Sequence, residues 1–121
     1  MIGLRTAVRL AAVTAVAAGS LGLSTGVASA DATYPANVPG CAGGMNVQYY
    51  NGHDWVQGYV ISTTGNYCTV NLQQSNGRWS SAYSNVRGDK HYTLQLQDSG
   101  ITSYVVVCNT DLGRCATSAS Y

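Results

Sequence analysis

Glutamate and phenylalanine do not occur in this 121-residue chain, lysine occurs once, and charged residues make up 9% of the whole. Each shortage excludes something. Without a basic cluster there is no electrostatic footprint for a phosphate backbone, so nucleic acid is not an expected partner. The same shortage removes any strong attraction to an anionic membrane surface. The four cysteines contain no C-x2-C pair, which argues against a zinc site, and neither a metal nor any other cofactor is expected. Beyond residue 30 no serine sits in a G-x-S-x-G elbow, so serine-based hydrolysis has no nucleophile. A glycosidase needs two carboxyl groups in opposed roles, whereas Asp31, Asp54, Asp89, Asp98 and Asp111 all fall in turns or flanks.

Long apolar runs are equally scarce. The one candidate, Leu10 to Leu23, is too short and too rich in Gly and Ser to span a bilayer. It follows Arg5 and Arg9 and precedes Ala28-Ser29-Ala30, a small-x-small site, so residues 1–30 read as a cleaved export signal. The expectation is a secreted, extracellular protein whose function lies in residues 31–121. Cys41, Cys68, Cys108 and Cys115 all follow the signal, and an even count in an oxidising compartment reads as two disulfides. Cys108 and Cys115 flank a turn-like stretch, which favours pairing them together and Cys41 with Cys68. Beyond the signal the charges are those five aspartates against Arg78, Arg87, Lys90 and Arg114, a formal −1.

What is abundant is tyrosine. Nine tyrosines and two tryptophans stand against no phenylalanine. Phenylalanine suits a dry core, whereas Tyr and Trp suit half-wet surfaces and interfaces. With many Ser, Thr, Asn, Gln and Gly residues, the mixture has the chemistry of a paratope, although exposed faces of secreted β-proteins share it.

Asp31 to Gly40 holds both prolines, Pro35 and Pro39, and shows no strong periodicity, so 31–40 is expected to be a flexible N-terminal arm. From Met45 onward, strand-like runs alternate with turn signals: Met45–Tyr50, His53–Ser62, Asn66–Gln74, Arg78–Ser84, His91–Gln97, Ile101–Cys108 and Arg114–Ser118. Asn76-Gly77 favours a type I′ hairpin turn. No segment beyond the signal has a helical period. Six or seven short strands predict a small antiparallel β-sandwich over 41–121, stapled by two disulfides. Cys68, Val70, Leu72, Leu94, Leu96, Val105 and Val107 are the expected core. Thr69, Asn71, Gln73, Thr93, Gln95 and Gln97 make an uncharged opposite face.

Catalytic candidates are sparse. His53 with Asp54, and Lys90 with His91, are the residues an acid–base reaction would use, and solvated loop histidines are the plainer reading. Arg87-Gly88-Asp89 matches an integrin-binding tripeptide, but Gly-Asp is ordinary turn chemistry. Binding is the better expectation. Trp55 and Trp79 each follow an Asn-Gly turn and are candidate anchors, and Tyr34, Pro35 and Val38 would anchor the arm in a partner.

Signal, size, cysteine count and β-pattern together resemble the small secreted proteins of Streptomyces-type actinobacteria. Proteinaceous α-amylase inhibitors are one such group; they carry Trp-Arg-Tyr on a turn, where this chain has Gly77-Arg78-Trp79-Ser80. The adaptor subunit of umbrella toxin particles is the other. The similar features are the 31–40 arm, Trp55-Val56-Gln57-Gly58-Tyr59-Val60 followed by Cys68, and the late Cys108 and Cys115. That resemblance implies a non-enzymatic structural adaptor joining secreted protein partners in an extracellular assembly. An inhibitor of an extracellular hydrolase is the second expectation, and a carbohydrate-binding module with glycan partners the third.

Overall fold

A computed structural model describes residues 31–121, in which every regular element is a strand. The export signal expected at 1–30 lies outside the described residues. In chain order the strands are β1 (Ala32–Val38), β2 (Cys41–Tyr50), β3 (His53–Ser62), β4 (Cys68–Gln74), β5 (Trp79–Ser84), β6 (Lys90–Tyr92), β7 (Leu96–Gln97), β8 (Ser103–Asn109) and β9 (Arg114–Thr117). One antiparallel sheet runs β1-β2-β3-β6, with β7 also paired to β3; the other runs β5-β4-β8-β9. Their inner faces meet in a core built from Met45, Val47, Val56 and Val60 on one side and Val70, Leu72, Val105 and Val107 on the other. This is the expected all-β sandwich, with two more strands than the seven runs read from the sequence.

The first extra strand overturns the flexible arm. Residues 32–38 pair with β2 along their whole length, from Ala32↔Val47 to Val38↔Cys41. Ala36 is buried, and Tyr34 and Val38 pack against the core, so the segment gains apolar burial that a free arm would forgo. Both prolines fit this placement. Pro35 lies on an edge strand, where a missing N–H breaks no ladder. Pro39 and Gly40 form the hairpin turn, Gly40 taking φ +85°. The buried Asn109 locks it by donating from Nδ2 to the Pro39 carbonyl at 2.8 Å.

The second arises because His91–Gln97 is not one strand but two, β6 and β7, separated by residues 93–95. The break shifts the alternation by one residue, so Thr93 turns inward and Leu94, expected in the core, is 71% exposed. Hydrogen bonding decides this. Thr93 Oγ1 accepts from the Gly58 amide at 2.8 Å and donates to the Leu94 carbonyl at 2.8 Å. The Leu94 amide in turn donates to Ser80 Oγ at 2.9 Å. The other six expected core residues are buried.

Both expected disulfides are present, Cys41–Cys68 and Cys108–Cys115. The first joins β2 to β4 and so ties one sheet to the other. The second links residues directly opposite on β8 and β9. Two closed disulfides fit an oxidising compartment of the extracellular kind. The type I′ turn, however, belongs to the first Asn-Gly pair: Asn51 and Gly52 have φ +52° and +79° and join β2 to β3. At Asn76-Gly77 only the glycine has positive φ. There the Gly77 amide donates to the Gln74 carbonyl and the Gln74 amide to the Arg78 carbonyl, a three-residue loop.

Candidate functional site

The five residues expected to bind a partner fall into three environments. Tyr34 and Val38 face inward, Tyr34 meeting Tyr121 edge-on at 5.8 Å, so neither is available as an anchor. Pro35 is exposed, and Trp55 half-buried, on the outer face of the first sheet. Trp79 is 65% exposed on the outer face of the second. The sandwich thus separates the two tryptophans onto opposite sides.

Around Trp55 the outward positions carry Gln48, Tyr50, Gln57, Tyr59, Tyr92 and Gln95. Tyr50 stacks on Trp55 with centroids 5.3 Å apart. A chain of polar contacts holds the pair: Tyr50 Oη donates to Gln95 Oε1 at 2.6 Å, Gln95 Nε2 to Gln48 Oε1 at 3.1 Å, and Trp55 Nε1 to the Tyr50 carbonyl at 3.2 Å. Further along, Lys90 Nζ lies 4.7 Å from the Tyr59 ring and 5.4 Å from the Tyr92 ring. Rotamers fixed this way lose little entropy when a partner arrives. Gln95 and Gln97 keep the outward placement expected of them, whereas Thr93 does not.

The second face is organised by β5, which is inside out. Its large residues Trp79 and Tyr83 point to solvent with Ser81 between them, while Ser80, Ala82 and Ser84 point inward. The inward serines act as hydrogen-bond staples, Ser80 to Leu94 and Ser84 Oγ to the Asp89 carbonyl at 2.8 Å. Beside β5, β4 presents Thr69, Asn71 and Gln73. Tyr67 stacks parallel on Tyr83 at 5.0 Å, its amide held by Asp111 Oδ2 at 2.9 Å. Two shallow depressions, one by Trp79 and one by Tyr83, share Asn71 as lining. The Asn71 Oδ1 atom is buried and has no hydrogen-bond partner among the described residues. The run Arg78–Ser84 is legible in the sequence as a strand, but the outward direction of its large residues is not. The clue was the small size of the intervening Ser80, Ala82 and Ser84.

The histidines do not converge. His53 opens β3, and His91 lies opposite Val60 on the same strand, so about 23 Å of extended chain separates their positions. His53 contacts Ser99 Oγ at 3.2 Å through Nδ1. Arg87-Gly88-Asp89 is turn structure, with the Gly88 amide on the Ser62 carbonyl and the Asp89 amide on the Val86 carbonyl. Among the described residues no group of three or more His, Cys, Asp and Glu side chains comes together.

One buried acid stands out at the end of the sandwich. Asp98 accepts from Ser103 Oγ at 2.8 Å, and Tyr121 Oη donates to the neighbouring Asp54 at 3.0 Å. Burial, with a smaller push from Asp54, raises the Asp98 pKa above its ordinary 3.8, against the lowering effect of the Ser103 bond. Burial and the Asp54 contact push Tyr121 up to about 12. A raised acid makes the folded state hold its proton longer than the unfolded chain does. Stability therefore falls as pH rises from about 3.8 through the folded pKa. Comparing wild type with Asp98→Asn by thermal melts from pH 4 to pH 7 or so tests this. The difference between the two curves should shift in favour of the variant as pH rises, and a constant difference would contradict it.

No protein-family model, curated protein or solved structure matches this chain.

Proposed function

We propose that this protein is a secreted, non-enzymatic protein-interaction module, acting as a structural adaptor in an extracellular assembly. The observation that carries the reading is the outer face of the first sheet, where Tyr50, Trp55, Gln48 and Gln95 form a pre-ordered, uncharged network. Aromatic anchors with amide neighbours and little residual freedom are what a protein interface rewards. Pro35 and Tyr92 extend the surface at its two edges, and Lys90 supplies one charge for orientation. The separation of His53, at the start of β3, from His91 on β6, which pairs with the far part of β3, supports binding over acid–base catalysis. With the arm folded into β1, docking is assigned to the sheet face and not to an inserted N-terminal peptide.

The test is capture of tagged residues 31–121 from native culture medium, read by mass spectrometry. Wild type should retain a secreted protein in stoichiometric amount. The double variant Gln48→Lys/Tyr92→Ala should weaken retention about thirtyfold, the scale of one hot-spot contact. A solitary wild-type protein, or equal capture by the variant, would contradict the proposal. If the retained partner is a hydrolase whose turnover stops on binding, the inhibitor reading replaces the adaptor.

A further inference from the structure

The second sheet offers a different chemistry from the first, and it does not depend on the protein-docking proposal. We propose that its outer face binds a neutral, β-1,4-linked polysaccharide chain, with sugar rings against Trp79 and Tyr83 and its hydroxyls meeting the polar side chains of Asn71, Gln73 and Ser81. The argument begins with β5. A strand that packs for stability turns its large residues inward, whereas β5 turns Trp79 and Tyr83 outward, 65% and 52% exposed, over serine and alanine. Four residues apart on one face, the two positions stand about 13 Å from each other along the strand. Ser81 and Asn71 form a low floor between them, and both depressions open on that floor.

The polar partners select the class of ligand. The outward positions of β4, β5, β8 and β9 are Thr69, Asn71, Gln73, Trp79, Ser81, Tyr83, Tyr104, Val106, Thr117 and the Cys108–Cys115 bridge, none of them charged. Arg78 is the one charged residue lining either depression. Nucleic acids and acidic glycans want cations in number, so they are poorly served. On the first sheet Tyr50 stacks directly on Trp55 as one anchor, whereas here Trp79 and Tyr83 are set apart by Ser81, a spacing that suits the repeating rings of a sugar chain better than a single protein anchor. A sugar chain with equatorial hydroxyls matches both features at once. Its rings carry apolar C–H faces for the π-surfaces of Trp79 and Tyr83, and its rim carries donors and acceptors for the amide and hydroxyl groups of Asn71, Gln73 and Ser81 that line the depressions. Tyr67 stacks on one face of the Tyr83 ring and holds its orientation, leaving the other face for ligand. An α-linked chain coils and cannot lie flat along both rings.

Calorimetric titration of residues 31–121 with cellohexaose, and with maltohexaose as the linkage control, tests the proposal. Tryptophan fluorescence provides a second signal. Saturable binding of cellohexaose is expected, with maltohexaose weaker by about tenfold or more. Trp79→Ala and Tyr83→Ala should each weaken cellohexaose about tenfold while leaving thermal stability within a few degrees of wild type, because both side chains are exposed. Val86→Ala, an exposed change at a residue that lines neither depression, should leave affinity unaltered. No saturable binding, equal binding of the two oligosaccharides, or undiminished binding by Trp79→Ala would overturn it. So would loss of the captured protein partner in Trp79→Ala/Tyr83→Ala without any glycan binding by wild type, which would make this face a protein-docking surface. Because the titration uses isolated protein, failure here leaves the first-sheet proposal standing, and the reverse.

Discussion

Replacing Cys41 and Cys68 together by alanine lowers the unfolding free energy by about 3.5 kcal/mol, and replacing Cys108 and Cys115 lowers it by about 2.5 kcal/mol. The difference follows from loop length. The first bridge closes a sequence separation of 27 and the second a separation of 7, and the unfolded chain regains more freedom when the longer loop is released. Position adds to the contrast. Cys41 and Cys68 are buried and span the two sheets, whereas the second bridge lies on an outer face and joins neighbouring strands that are already hydrogen-bonded. For a domain of this size the first loss is a large share of a total of roughly 5 to 15 kcal/mol. Urea denaturation of both double variants measures it. A larger loss at Cys108–Cys115 would contradict the account of what holds the sandwich together.

The second large effect is at a glycine. Gly43→Ala destabilises by about 1 to 3 kcal/mol, although alanine is the smallest possible addition. A Cβ at residue 43 would stand 2.6 Å from Val107 Cγ2 and 2.8 Å from the Tyr59 carbonyl. Val107 is a stiff β-branched residue of the opposite sheet, and the carbonyl belongs to the paired strand β3, so neither yields cheaply. The close approach of β2 to β8 rests on that missing side chain. Gly52→Ala is the control. It has positive φ but open space around it, so its cost is confined to backbone strain of about 1 kcal/mol. A double-mutant cycle of Gly43→Ala with Val107→Ala should recover part of the loss, since the smaller partner admits the new methyl. An additive cycle would place the strain elsewhere.

Those two sites mark the limits of what could be read from residue order. Cysteine spacing carried the disulfide pairing because the turn between Cys108 and Cys115 is local. Strand-like runs bounded by turn signals carried β3 to its observed ends and most of β4, β5 and β8. Gly43 and Gly44 have weak strand propensity, and their place in β2 answers to close approaches that no local pattern records: Val107 of the other sheet at Gly43, and the Tyr34 carbonyl and Tyr59 hydroxyl of the same sheet at Gly44. Pro35 hid β1 for a similar reason: a proline argues against a strand unless the strand is known to be an edge. Leu94 was misplaced because Thr93 takes the inward position through a hydrogen bond to Gly58, and hydrophobicity alone cannot weigh that bond. The site was legible only in composition. Tyrosine without phenylalanine announced half-wet surfaces, yet only the sheet order shows Trp55 and Trp79 on opposite sides, with Tyr50 and Tyr83 as their companions.

The central claim is that this domain has two binding faces that work separately. Backbone amide spectra of 15N-labelled residues 31–121, recorded with the captured protein partner and again with cellohexaose, test it directly. The account predicts two disjoint sets of shifted signals: residues of β2, β3 and β6 for the protein, and of β4 and β5 around Asn71, Trp79 and Tyr83 for the glycan. One common set, or shifts confined to the hairpin turns, would contradict it.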